Sequence, residues 1–204
     1  MPTRKYEQGL RAEAAEETRK RILDALYARL SEQPSEPVSV EQVARLARVA
    51  RSTIYLVFGS RAGLFDALAA ELFRTGEFAR VAAAAANPDA REHLRGGIRG
   101  ATEMMAAHRD VFRVLYSMAQ LDEHAVGGAV HRLEDARARG MARMAERLGD
   151  QGLLRDGVTV ADATSLIWMY GSFDAFDVLY TGRGLSVDEI VELFTTTLER
   201  ALYP

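Results

Sequence analysis

Ser39-Val-Glu-Gln-Val-Ala-Arg-Leu-Ala-Arg-Val-Ala-Arg-Ser-Thr-Ile-Tyr-Leu-Val-Phe-Gly-Ser-Arg-Ala-Gly-Leu-Phe65 is the stretch that decides the fold. It reads as two short helices joined by a tight turn, with a third helix opening at Ser60. Val43, Ala44, Ala47, Val49, Ile54 and Phe58 supply one small apolar face, while Arg48, Arg51, Ser52, Thr53, Tyr55 and Arg61 point elsewhere. A helix-turn-helix needs this division, because one side locks the helices together and the other is presented to a DNA groove. Ser39 is placed as the N-cap of the first helix, and Gln42, three residues on, completes a Ser-x-x-Gln capping box. A helical hairpin buried in an unrelated bundle would share the apolar register but would not need the polar residues on the other side.

Helical periodicity continues outward in both directions, and no alternating strand pattern interrupts it. Upstream, Ile22, Leu23, Leu26, Tyr27 and Leu30 share a face of a helix expected over about 16–31, and Pro34 and Pro37 enforce a loop after it. Downstream, Ser60 caps a helix carrying Leu64, Phe65, Leu68, Leu72 and Phe73. Asn87-Pro88 marks a boundary, since Asn caps well and Pro suits a first helical position. Further helices are expected over 88–107, 109–119, 124–149, 159–181 and 186–202, the last with a Ser186/Glu189 capping box. The expectation is an all-α protein of about nine helices. Residues 14–62 form a three-helix N-terminal helix-turn-helix domain, and 63–204 form a second helical domain.

Composition is consistent with this division. The chain of 204 residues is 48% hydrophobic, enough for a sizeable core, and no apolar run is long enough to span a bilayer. Cysteine is absent and Thr3–Arg21 is too charged for an export signal, so a cytoplasmic protein is expected, with no membrane partner. The net charge is −3, unevenly spread: residues 1–62 hold 11 Lys/Arg against 8 Asp/Glu, and the remainder 15 against 21. A mildly basic N-terminal third on an acidic body suits local contact with a polyanion and discourages indiscriminate adhesion.

With these residues in place, the chain resembles the tetracycline-repressor (TetR) family of one-component bacterial transcription regulators. The family pattern, roughly Thr-Val-x-x-Ile-Ala-x-x-Ala-Gly-Val-Ser-x-x-Thr-Leu-Tyr-x-His-Phe-x-Ser-Lys-x-x-Leu, is matched in register by Val40, Val43, Ala44, Ala47, Val49, Thr53, Ile54, Tyr55, Phe58, Ser60, Arg61 and Leu64. The sequence departs from it at the turn glycine, which is Arg48, at the cap of the second helix, which is Ala50, and at Val57, where His or Tyr is usual. The resemblance implies that Arg51, Ser52 and Tyr55 face base edges. Arg51 is the best guanine reader, because its planar fork can bond O6 and N7 together. Ser39, Thr53, Tyr55 and Arg61 are expected on phosphates, which set register without reading sequence. Arg48 adds an exposed cation at the turn, and Arg4, Lys5 and Arg11 are either a backbone-reaching arm or a solvated tail.

For the C-terminal two-thirds the resemblance implies an apolar cavity for a small-molecule effector and a homodimer interface built from the last two helices. Candidate cavity residues are Met105, His108, Phe112, Tyr116, Trp168, Phe173, Asp174 and Asp177. An ordinary helical core accounts for most of the apolar members. Asp174 and Asp177 could orient a ligand, face solvent or pair with an arginine. The implied function is sequence-specific DNA binding by a ligand-responsive homodimeric repressor, with double-stranded operator DNA as partner.

Other readings are a helical small-molecule-binding protein with a degenerate DNA-binding half, or an all-α enzyme. Against an enzyme, there is no Gly-x-Ser-x-Gly elbow and no phosphate-binding loop with Lys. Gly96-Gly97-Ile98-Arg99-Gly100 lacks the strand that a nucleotide fingerprint requires. His93, His108, His124 and His131 lack ligand spacing, so no metal, catalytic residue or cofactor is expected.

Overall fold

The computed structural model describes residues 4–34, 36–72, 76–121, 126 and 128–204, without the side chains at 4–8, 11 and 76–78. Among them are eleven helices and no strand: α1 (Arg4–Glu32), α2 (Val40–Leu46), α3 (Arg51–Phe58), α4 (Arg61–Leu72), α5 (Gly76–Ala86), α6 (Ala90–Ala107), α7 (Arg109–Leu121), α8 (Gly128–Asp150), α9 (Val160–Tyr170), α10 (Phe173–Tyr180) and α11 (Val187–Leu202). The all-α expectation holds and the count of about nine does not.

The described residues give α4 up to Leu72 and α5 from Gly76, and Phe73 lies outside them. A break divides the segment expected as one helix over 159–181. At Gly171 a Cβ would come within 2.8 Å of Met141 Cε and 3.1 Å of the Ile167 carbonyl oxygen, so a side chain here would crowd that carbonyl and displace the tip of Met141. Ser172 then turns extended (ψ 152°), and its Oγ accepts from the Ala175 N–H, restarting the helix as α10.

Helix α1 begins at Arg4 rather than near Glu16. Its early residues, including Leu10 and 12–17, are exposed, so this turn-by-turn extension rests on the helix propensity of Ala, Glu and Arg and leaves no apolar period to detect. The side chains of Arg4, Lys5 and Arg11 lie outside the described residues. Helix α6 is capped by Asp89, whose carboxylate accepts from the N–H groups of Arg91 (2.8 Å) and Glu92 (3.4 Å), and not by Asn87. Asn87 instead accepts from the Asp89 N–H, shaping the turn ahead of the cap. His124 lies outside the described residues.

The chain divides into two compact units, Met1–Glu71 with Arg113–Val130, and Leu72–Phe112 with His131–Pro204. In the first, α1 packs on α2 and α2 on α3. Ile22, Leu26, Leu30, Val43 and Ile54 have no exposed surface, and Leu64, Phe65 and Leu68 are almost as fully buried. Arg29 is buried as well, and its guanidinium donates to the carbonyls of Gln33 (2.8 Å) and Pro37 (3.2 Å) and to the Glu36 carboxylate (3.1 Å). It therefore holds the loop that delivers the chain to α2. In the second unit α6 packs against α5 and α11, and α9, α10 and α11 pack on one another. No described helix is long and apolar enough to cross a membrane.

Candidate nucleic-acid interface

The surface at α2 and α3 is built by caps and by one strained turn. Ser39 Oγ accepts from the Gln42 N–H (3.2 Å), and Gln42 Oε1 accepts from the Ser39 N–H (2.9 Å), so the predicted capping box is present. At the other end of α2 the N–H of Arg48 bonds the Arg45 carbonyl (3.2 Å), and that of Val49 bonds the Ala44 carbonyl (3.0 Å). This is a Schellman closure, which requires a left-handed residue between helix and turn. That residue is Arg48, at φ 52°, and among the described residues no other non-glycine has positive φ. The departure from glycine noted in the sequence is therefore carried as backbone strain.

Ala50 occupies the N-cap of α3 in extended geometry (φ −70°, ψ 148°) with no side-chain cap bond. The helix is positioned instead by burial of Ile54 and by half-buried Thr53, Val57 and Phe58, with the Arg19 guanidinium 5.1 Å from the Phe58 ring centre. Arg51, Ser52, Tyr55 and Leu56 are exposed on the opposite side. At 100° per residue they form one outward stripe, with Leu56 about 160° from the buried Ile54. Leu56 is 86% exposed.

Arg51 is not a free cation. Its Nη1 donates to Glu41 Oε1 at 2.6 Å, its Nη2 to the Tyr55 hydroxyl at 3.3 Å, and its guanidinium lies 5.5 Å from the Tyr55 ring centre. The Tyr55 hydroxyl first, then the Glu41 carboxylate, raise the Arg51 pKa, so it stays charged. Both partners are more than half exposed, so the pair is water-screened and exchangeable. Arg61 is half-buried. Its Nη2 donates to the Val38 carbonyl (3.3 Å) and its guanidinium lies 5.2 Å from the Phe65 ring centre. All seven residues expected to face DNA thus lie in the first unit, on α2, α3, their turn and the start of α4.

The eight candidate effector contacts are less coherent. Tyr116 belongs to the first unit and the other seven to the second. Met105, Phe112 and Phe173 are buried, with the Phe112 and Phe173 rings 5.8 Å apart and His108 6.5 Å from Phe112. Asp177 accepts from Arg109 Nε (2.9 Å) and from the Thr181 hydroxyl (2.5 Å), a pairing with arginine inside the chain. Asp174 is exposed. Trp168 is 44% exposed, its ring centre 4.9 Å from the Arg137 guanidinium, and its carbonyl accepts from Arg137 Nη1 (2.7 Å). A shallow, open recess on the surface of α11 is bordered by Asp188, Glu189, Glu192, Leu193 and Thr196, none of them among the eight. Among the described residues no three His, Asp or Glu come together as metal ligands.

Reading the sequence alone passed over Glu41 and Leu56. A helical wheel of α3 places Leu56 about 40° from Ser52 and would have found it. Glu41 sits ten residues from Arg51 on a different helix, and only the folded turn brings them together.

Residues 22–68 match the sequence model described as "Bacterial regulatory proteins, tetR family". No curated protein matches the chain. Among solved structures, a TetR-like transcriptional regulator from Rhodococcus sp. RHA1 is similar at 24% identity and TM-score 0.64, covering 90% of this chain and 94% of that one. NalD, the secondary repressor of the MexAB-OprM multidrug efflux pump in Pseudomonas aeruginosa, is similar at 22% identity and TM-score 0.68, covering 93% of this chain and 98% of that one. At these identities the likeness is one of fold. Residues 22–68 thus carry the signature of the TetR family of bacterial regulatory proteins, and the chain as a whole shares the fold of these solved regulators.

Proposed function

We propose that the protein is a homodimeric repressor that reads double-stranded DNA with α3 and answers to a small-molecule effector. The observation that carries this is the outward stripe of α3, where Arg51, Ser52 and Tyr55 stand exposed opposite buried Ile54. In this reading Arg51 exchanges Glu41 for the O6 and N7 of a guanine, and the Ser39 hydroxyl, Arg48, Thr53 and Arg61 anchor phosphates. The division of labour places DNA reading in residues 14–62 and effector binding and dimerisation in 63–204. Dimerisation is supported by apolar side chains left in water on α9–α11, namely Val160, Trp168, Met169, Val178 and Leu193. Two recognition helices about 34–36 Å apart then meet successive major grooves, and an effector acts by favouring a dimer with another spacing.

The test is fluorescence anisotropy on duplex from upstream of the protein's own gene, beside random duplex, across a salt series. Specific binding that weakens steeply with salt is expected. Arg51→Ala should abolish preference at one operator position, and Arg61→Ala should weaken all duplexes alike. Equal loss on both duplexes for Arg51→Ala would remove it as a base reader, and equally weak binding to every duplex by the unaltered protein would overturn the function.

A further inference from the structure

Leu56 is the one apolar member of the α3 stripe. It stands one helical turn beyond Ser52 and next to Tyr55, and 86% of it is exposed. Nothing in the packing of α3 requires it, since Ile54, Val57 and Phe58 already provide the inward face. A branched four-carbon side chain offers no hydrogen bond to phosphate or to a base edge. The major groove presents one apolar group that it can meet, the C5-methyl of thymine.

We propose that Leu56 is a specificity-determining residue that reads a thymine methyl in the major groove, beside the base pair read by Arg51. This rests on the reading of α3 as the groove-facing helix. The geometry fits that role in two ways. Leu56 points away from Ile54, so α3 can enter a groove with Ile54 still buried. It also lies on the Ser52 side of the stripe, whereas Arg51 and Tyr55, tied to each other, lie on the other side. The two sides would therefore meet different base pairs, one through hydrogen bonds and one through apolar contact.

The contact can be tested one methyl at a time with the full-length protein. A preferred duplex is first selected from a random pool, and each thymine is then replaced singly by deoxyuridine, which lacks only the methyl. Anisotropy is measured for the unaltered protein and for Leu56→Ala, which alters an exposed side chain and should leave the far-ultraviolet circular dichroism unchanged. At one thymine per half-site the replacement should weaken the unaltered protein about fourfold, the factor that burying one methyl-sized group corresponds to. The same replacement should leave Leu56→Ala unaffected, and Leu56→Ala should bind random duplex as the unaltered protein does. Deoxyuridine effects that are identical in the two proteins at every thymine would overturn the assignment. So would a loss in Leu56→Ala that is equal on random duplex, which would place Leu56 against the sugar-phosphate backbone. If the pool yields no preferred sequence, the reading of α3 fails first and this inference with it.

Discussion

Replacing Arg48 by glycine should stabilise the first unit while weakening its hold on DNA. Arg48 is held at φ 52° by the two bonds that close α2, Arg48 N–H to Arg45 and Val49 N–H to Ala44. A left-handed backbone costs a residue with a Cβ about 1–2 kcal/mol. Glycine removes that cost but adds roughly 0.5–1 kcal/mol of chain entropy on folding. The net gain expected is therefore about 0.5–1 kcal/mol. Arg48→Ala, which keeps the Cβ, should change stability little, and Arg48→Val should lose about 1 kcal/mol, because a β-branched residue fits this region poorly. Urea unfolding followed by circular dichroism is the suitable assay. The single tryptophan, Trp168, lies in the second unit and would report the wrong one. Amide exchange at Val49 gives the local reading of the same quantity. On DNA the glycine variant loses one exposed cation, so its salt slope should fall by about one phosphate contact on every sequence. A glycine variant no more stable than the parent, with valine no less stable, would refute the claim that strain is stored at Arg48.

Three further outcomes are expected. Glu41→Gln removes the negative charge that competes with DNA for Arg51, so binding to random duplex should tighten several-fold at low salt; weaker binding to both duplexes would contradict this. His93 is buried, with Arg147 Nη1 3.0 Å from its Nδ1, and burial first, then Arg147 and Arg143, hold its pKa below the ordinary imidazole value. The unfolded chain therefore takes up this proton first, and the contribution of His93 is complete above about pH 6.5 and is lost as the pH falls towards the folded pKa. The urea midpoint should drop between pH 7 and 5 and drop less in His93→Gln; parallel curves would exclude His93 as the cause. The Tyr203 hydroxyl is buried without a hydrogen-bond partner among the described residues, and burial first, then Glu199, push its pKa up to about 12. Tyr203→Phe should be neutral or stabilising by up to about 1 kcal/mol at pH 7. It should also remove the part of the alkaline loss that begins near pH 10, and a clear loss of stability at pH 7 would show that the hydroxyl has a partner.

What could be read from the sequence was set by short-range chemistry. The Ser39/Gln42 and Ser186/Glu189 boxes join groups three residues apart, and both are present. The burial of Val43, Ala44, Ala47 and Ile54 follows from helical period alone. The misfit of Arg48 at a turn position was visible too, because a Schellman turn demands φ > 0 of whichever residue occupies it. The start of α1 was not legible, since an exposed helix held by propensity carries no apolar rhythm. Nor was the break at Gly171, where the space beside the glycine is filled by Met141, thirty residues earlier in sequence.

The candidate site divides in the same way. That α3 would turn Ile54 inward and Arg51, Ser52 and Tyr55 outward was determined by sequence, because residues four apart share a face whatever surrounds the helix. That Arg51 would rest on Glu41, and that Asp177 would find Arg109, was decided only by tertiary structure. An ion pair depends on where two chain segments end up, and many arginines and carboxylates in this chain were equally eligible until packing brought particular ones within reach.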